Sequence, residues 1–201
     1  MIMFPSCCLV LRRLCNPSRR TLFTLSDFSP WQPEVHTYHE RKIFPYKQKQ
    51  LYDVVADVGS YPCFIPFCTK SRIIKPPPRK AVADAKPAPF TMEAELTVGF
   101  LAFQESYVSR VSCDPYESVK AVASSSTPLF KTLSTTWHFQ PVPQNKPSSD
   151  QSMHQTLVTL DLAYAFTNPI HAKVSSTFFG QVSKLMVKAF EDRCREIYGT
   201  I

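Results

Sequence analysis

The sequence predicts an α+β domain in which an antiparallel sheet is covered by one long C-terminal helix. Three observations predict it. Stretches between Met92 and Phe166 alternate apolar and polar residues, the two-residue period of strands with one wet face. The segment from Pro169 to Gly199 repeats apolar residues at helical spacing,. The chain has 201 residues, enough for one domain plus extensions, and its 18 prolines cluster in a few places that read as loops,.

The elements follow in order. Val35 to Phe44 reads as a strand, its alternation blurred by His36, His39 and Arg41. Leu51, Val54, Val55 and Val58 sit at i, i+3, i+4 and i+7, one face of a short helix that Gly59-Ser60 ends,. Tyr61 to Phe67 is an aromatic, proline-bent segment, and Lys70 to Lys75 a strand. Lys75 to Pro89, rich in Pro, Lys and Ala, reads as a mobile hairpin insertion,. In the next strand Met92, Ala94, Leu96, Val98 and Phe100 face one way and Glu93, Glu95 and Thr97 the other,.

Further strands are expected over Phe103 to Ser112, Ser118 to Ala123, and Leu133 to Gln140, the last with Leu133, Thr135, Trp137 and Phe139 on one side. After a second polar insertion, Pro141 to Ser152, the segment His154 to Phe166 puts Val158, Leu160, Leu162, Tyr164 and Phe166 on one face. The helix has a natural N-cap in Asn168, a natural first residue in Pro169 and a natural stop in Gly199,. Its expected apolar stripe is Val174, Phe178, Val182, Leu185, Met186, Ala189 and Phe190, with Ile197 near the end. A sheet with one apolar face needs a cover, and a sheet curling round this helix would leave a pocket between them.

Charge separates the start of the chain from the rest. Residues 1–26 contain Arg12, Arg13, Arg19 and Arg20 and no acidic residue, while residues 27–201 hold 19 basic against 16 acidic residues, +3. An acid-free, Arg-bearing, Ser/Thr-containing start reads as a mitochondrial presequence, with cleavage between Leu22 and Phe28. A secretory signal would place the arginines before the apolar run, and here they follow it. No run of about eighteen apolar residues marks a membrane-spanning helix. The mildly basic body lacks the stripe that nucleic-acid binding needs, so no nucleic-acid partner is expected. Cys63 and Cys68 lack the clustered partners of a zinc site and read as structural thiols, and the five histidines fall in no metal spacing,. With no Gly-rich phosphate loop and no nucleophile elbow, catalytic and metal residues are expected to be none, and the chain is read as a binding protein.

At this point three stretches carry a resemblance. Leu51-Tyr-Asp-Val-Val-Ala-Asp-Val-Gly-Ser-Tyr-Pro-Cys-Phe-Ile-Pro-Phe-Cys resembles the opening of the START-like polyketide cyclase and lipid-transport superfamily. With Glu95-Leu-Thr-Val-Gly-Phe, Glu105-Ser-Tyr-Val-Ser and the segment Phe178 to Gly199, it resembles the mitochondrial coenzyme Q-binding proteins. The likeness covers about Val35 to Gly199 and departs at insertions 76–89 and 141–152. It implies a helix-grip fold over residues 35–199, a hydrophobic tunnel, coenzyme Q as bound ligand without a catalytic cofactor, and peripheral contact with the matrix face of the mitochondrial inner membrane. It also implies support of respiratory electron transport. Bacterial members of the superfamily include a ribosome-association toxin, which leaves a ribosome interaction module as the alternative.

Coenzyme Q is a polar ring on an apolar tail, so its site needs a greasy cavity with few polar groups. The residues proposed to line it are Phe64, Ile65, Pro66 and Phe67 at the mouth, Leu96, Val98, Phe100, Trp137 and Leu160 on the strands, and Phe178, Val182, Leu185, Met186 and Arg193 on the helix. Each apolar one has the bland alternative of packing the core. Phe64 to Phe67 either plug the end of the core or touch the bilayer. Arg193 lies on the apolar stripe, where a charge should be paired; Glu95, Glu105 and Asp161 are the candidate partners, and the alternative role is a donor to a quinone oxygen.

Overall fold

A computed structural model describes residues 34–77, 87–100, 103–124, 130–143, 155–167 and 169–200, with the backbone alone for 100, 103 and 169–179. The presequence region therefore lies outside the described residues, as do most of both Pro-rich insertions, Asn168, and the side chains of Phe100, Val174 and Phe178.

Seven strands and two helices form in the predicted order. β1 (His36–Phe44) leads into α1 (Gln48–Ala56) and a 3₁₀ turn (Val58–Cys63). β2 (Cys68–Lys75), β3 (Phe90–Phe100), β4 (Phe103–Asp114), β5 (Ser118–Ala123), β6 (Phe130–Pro141) and β7 (Thr156–Phe166) follow. α2 (Pro169–Tyr198) closes the chain with 30 residues, about 45 Å of helix,. The strands form one antiparallel sheet in the order β1-β7-β6-β5-β4-β3-β2, so β2 to β7 make a meander and β1 crosses over to pair with β7. This is the helix-grip arrangement expected from the sequence.

α1 buries Leu51, Val54 and Val55, the face their spacing predicts, and Val58 continues it. Its first turn is fixed by the Gln50 side chain, which accepts a hydrogen bond from the Lys47 backbone N–H at 2.8 Å,. Tyr52 from the same helix inserts edge-on against Tyr116 and Phe139,. Tyr61 donates to the Val55 carbonyl at 2.6 Å and folds the 3₁₀ turn back onto α1. The turn thus begins where the sequence reading had the helix continue to Gly59.

The concave face of the sheet carries the main core. Val111, Cys113, Val119, Trp137, Phe139, Val158 and Leu160 meet Val187, Phe190 and Cys194 of α2. On β3, Met92 and Ala94 are buried as predicted, and Glu93 and Glu95 face outward in ion pairs with Lys75 and Arg72. Thr97 departs from the expected wet face. It is buried, with its hydroxyl 2.8 Å from that of Ser106, its neighbour across the strand pair.

α2 is rotated relative to the expected stripe. Among its described side chains the buried ones are Ser183, Val187, Phe190 and Cys194, spaced i, i+4, i+7 and i+11,. Of the described residues in the predicted stripe Phe190 is fully buried, Val182, Met186 and Ala189 are half-buried, and Leu185 and Ile197 are 46% and 47% exposed. The helix end is anchored by Gly199 at φ 84, which lets its N–H cap the Arg195 carbonyl at 2.9 Å,. Tyr46 ties that end to the β1–α1 connection by donating to the Gly199 carbonyl at 3.0 Å.

Candidate ligand-binding cleft

Strand register decides which side chains share the concave face. Tyr38, Leu162, Thr135, Ala121 and Val111 follow one another across β1, β7, β6, β5 and β4. On the β3–β4 pair, Leu96 lies opposite Tyr107 and Val98 opposite Glu105. The buried residues of this face separate into two clusters. The main core, with Trp137, Leu160 and Phe190, fills one end. A second cluster of Phe130, Leu162, Tyr164 and Phe166 fills the other, with Tyr38, Tyr107 and Leu133 packed against it.

Leu96, Val98, Tyr107, Ala121 and Thr135 face inward yet are only half-buried, Leu96 and Ala121 packed against the main core and Tyr107 against the second cluster. Inward-facing side chains that stay half-buried border the candidate cleft, since a packed core covers its residues fully. On the helix side, Val182, Met186 and Ala189 are half-buried in the same way. The cleft walls are therefore apolar, with few polar groups. Ser71, which also faces inward, is satisfied by donating to the Val58 carbonyl at 2.7 Å.

Burial tunes the phenols and thiols around this cleft. Tyr61 and Tyr107 are each half-buried, yet desolvation pushes both phenols well above their ordinary range,. The Cys68 thiol is likewise raised by burial, against a weaker opposing effect of its contact with the Lys70 carbonyl. Tyr61 and Tyr107 each feel Cys68, and Tyr61 also feels Tyr107, so the three groups stand around one region.

The predicted site residues divide accordingly. Leu96 and Val98 are half-buried on the inward face of β3, and Val182 and Met186 are half-buried on α2. Trp137 and Leu160 are buried in the main core, Trp137 with its ring 4.8 Å from that of Phe190. Leu185 points to solvent because the helix is turned towards Val187 and Cys194. Phe64 and Ile65 are half-buried and pack on the core, Phe64 edge-on to Phe190 at 5.3 Å and to Tyr61 at 5.8 Å. Pro66 and Phe67 are half-buried as well.

Phe67 adopts a positive φ of 66, unusual for a bulky side chain, and its carbonyl accepts the Gly99 N–H at 2.8 Å,. The segment is thereby stapled to the end of β3. Arg193 does not reach Glu95, Glu105 or Asp161. Its guanidinium bonds Glu196 one turn on at 2.8 Å and covers the Phe64 ring, while Glu95 is held by Arg72 and Asp161 by His39. A partner three residues away on the same helix outcompetes any on the sheet, because it needs no long-range closure.

Sequence reasoning missed Tyr107, Ala121 and Thr135 as cleft residues. Their signal was parity: counting by twos from Val111 along β4 reaches Tyr107. Polar Ser109 between them hid the alternation. Among the described residues no group of His, Cys, Asp or Glu is placed to hold a metal. No described helix is long and apolar enough to cross a membrane.

Residues 44–191 match the family described as polyketide cyclase/dehydrase and lipid transport. The chain belongs to that family. Its relatives in the family include the mitochondrial coenzyme Q-binding protein COQ10 homolog B of Xenopus laevis, 35% identical over 164 residues. That match spans 81% of this chain but 59% of the relative, so the chain covers under two thirds of that protein's length. The mitochondrial coenzyme Q-binding protein COQ10 of Dictyostelium discoideum is 32% identical over 83% of this chain and 73% of its own. The chain is also similar to the ribosome association toxin RatA of Rickettsia prowazekii, 29% identical over 80% of this chain and 97% of its own. Among solved structures, the ZhuI aromatase/cyclase of Streptomyces sp. R1128 superposes with a TM-score of 0.61 over 82% of this chain and 96% of its own, at 12% identity, which speaks to the fold alone. The resemblance read from the sequence is borne out at the level of family and fold.

Proposed function

We propose that this chain binds coenzyme Q between sheet and helix and acts as a lipid chaperone or carrier rather than an enzyme. The observation that supports the reading is the pair of separate apolar clusters on one sheet face, with half-buried Leu96 and Val98 on β3 and Val182 and Met186 on α2 proposed to line a cleft between them. Relatives named coenzyme Q-binding proteins over most of this chain support it. So does the chemistry of the walls. Burying one five-carbon isoprene unit is worth up to about 4 kcal/mol. Two units therefore approach the roughly 8 kcal/mol of a micromolar complex, before the cost of association. The remaining tail would stay in lipid.

The proposal extends to place. Residues 1–26 act as a cleaved mitochondrial presequence, and the domain works at the matrix face of the inner membrane in support of respiratory electron transport. Extraction of the purified protein with organic solvent, followed by mass spectrometry, tests the ligand: a polyprenyl quinone near one per chain is expected. A protein that yields no lipid and co-sediments with large ribosomal subunits would favour the reading suggested by the RatA relative. The +3 body without a basic stripe weighs against that outcome,. Fusion of residues 1–26 to a fluorescent reporter tests import; a reporter left in the cytosol removes the presequence.

A further inference from the structure

The cleft raises a question its apolar walls leave open: what reads the polar end of the ligand. Tyr107 stands where such a group would be needed. It sits on the concave face of β4 opposite Leu96, and its ring packs edge-on against Phe130 of the second cluster at 5.8 Å. At the same time it interacts electrostatically with Cys68 and Tyr61, which lie beside the main core and the 3₁₀ turn. The side chain thus packs on the second cluster, on the strand face it shares with Leu96. Its hydroxyl has no hydrogen-bond partner among the described residues. Tyr61, by contrast, spends its hydroxyl on the Val55 carbonyl, and Tyr38 spends its own on Glu40.

We propose that the Tyr107 hydroxyl is the hydrogen-bond donor that recognises a carbonyl oxygen on the ligand's polar ring. The inference rests on the quinone reading of the cleft and adds to it the residue that sets head-group specificity. A phenol is suited to this place. Its ring tolerates apolar walls, and its hydroxyl needs a partner once water leaves. A phenol is already protonated at physiological pH and burial only raises it further, so it donates,. The other polar groups on this floor are less suited. Glu105, two residues along the same face, offers a carboxylate that accepts but does not donate when ionised,. The Thr135 hydroxyl is held close to the strand backbone, whereas that of Tyr107 stands off at the end of a ring.

The test compares Tyr107→Phe with wild type, using two probes. One is 2,3-dimethoxy-5-methyl-1,4-benzoquinone with a ten-carbon tail; the other is decylbenzene, which keeps a tail and a ring but has no carbonyl. Losing the donor should weaken the quinone probe roughly tenfold, the ratio of a net hydrogen bond. Decylbenzene binding should stay within twofold and the melting temperature should hold, because the ring contact with Phe130 remains. Unchanged quinone affinity in Tyr107→Phe would overturn the role of Tyr107 while leaving the quinone reading intact. An equal loss for both probes would also overturn it, making Tyr107 a wall and not a reader. If wild type binds neither probe, the quinone reading itself fails and the head-group assignment goes with it.

Discussion

Arg193 of α2 holds its guanidinium 5.5 Å from the centre of the Phe64 ring, so the aromatic segment after α1 is clamped to the C-terminal helix from the solvent side. The other faces of Phe64 meet Phe190 and Tyr61. This places Phe64 in the structure as a packing residue at the rim of the cleft. Phe64→Ala should therefore lower stability by about 2 kcal/mol, less than a fully buried Phe because one side remains open. Arg193→Gln should lower it by about 0.5–1 kcal/mol. In a double-mutant cycle by urea denaturation the two should couple by a few tenths of a kcal/mol or more. Strict additivity would mean that the ring and the guanidinium merely lie near each other.

Leu96 lies on the floor of the cleft, opposite Tyr107 and half-buried. Leu96→Lys puts an ammonium where the apolar tail would lie, and the charge cannot be buried there without a partner. Quinone recovered by solvent extraction should drop at least tenfold. Circular dichroism should stay native, since the long Lys side chain can reach towards the open side. A folded variant that retains wild-type quinone would remove β3 from the site.

Much of this was legible in the residues, and the failures have physical causes. The strands of β3, β6 and β7 carry clean period-two patterns, so register followed from pairing neighbours in order,. The proposed cleft would be a gap between clusters, and a gap has no residue signature; small inward residues such as Ala121 and Thr135 are its faint trace in the sequence. α2 misled because its apolar residues spread round more than half of the helix. Val182, Leu185, Met186 and Ala189 form the more hydrophobic stripe, but the fully buried side chains among those described lie on the adjacent one, where Ser183 and Cys194 are small enough for close approach. The partner of Arg193 was hidden for another reason. Local ion pairs at i, i+3 are always available on a helix and leave no long-range mark.

That rotation makes a sharp expectation for two residues two positions apart. Leu185 is 46% exposed and Val187 5%. Leu185→Lys should change stability by less than about 0.5 kcal/mol, as at an ordinary surface site. Val187→Lys should cost roughly 3 kcal/mol or more by burying an unpaired charge against the sheet. Denaturant midpoints of the two variants decide the matter, and equal effects would mean that the helix sits on the other face.

Two buried thiols predict how stability depends on alkaline pH. Burial raises Cys113 to about 11 and Cys194 to about 12, from an ordinary value of 9.0. Both acids are neutral when protonated, so the folded state holds protons that the unfolded state has already released. Between pH 9 and the folded values the native form binds more protons, and stability must fall as pH rises. Below pH 9 both states are protonated and these thiols contribute no slope. Each can add on the order of 1 kcal/mol per pH unit in that window. The effect is local to the join of sheet and helices, where Cys194 packs in the main core and Cys113 lies beside the buried Tyr52 hydroxyl, whose contact offsets part of the rise. Buried tyrosines join above pH 10, since burial raises Tyr46, Tyr52 and Tyr61 in the same direction. Urea midpoints under reducing conditions should therefore be level from pH 7.5 to 8.5 and decline from pH 9 to 10.5. Cys113→Ala with Cys194→Ala should lower the plateau, through lost packing, but make the decline near pH 9.5 shallower. A slope unchanged by removing both thiols would show that they titrate alike in the folded and unfolded chains.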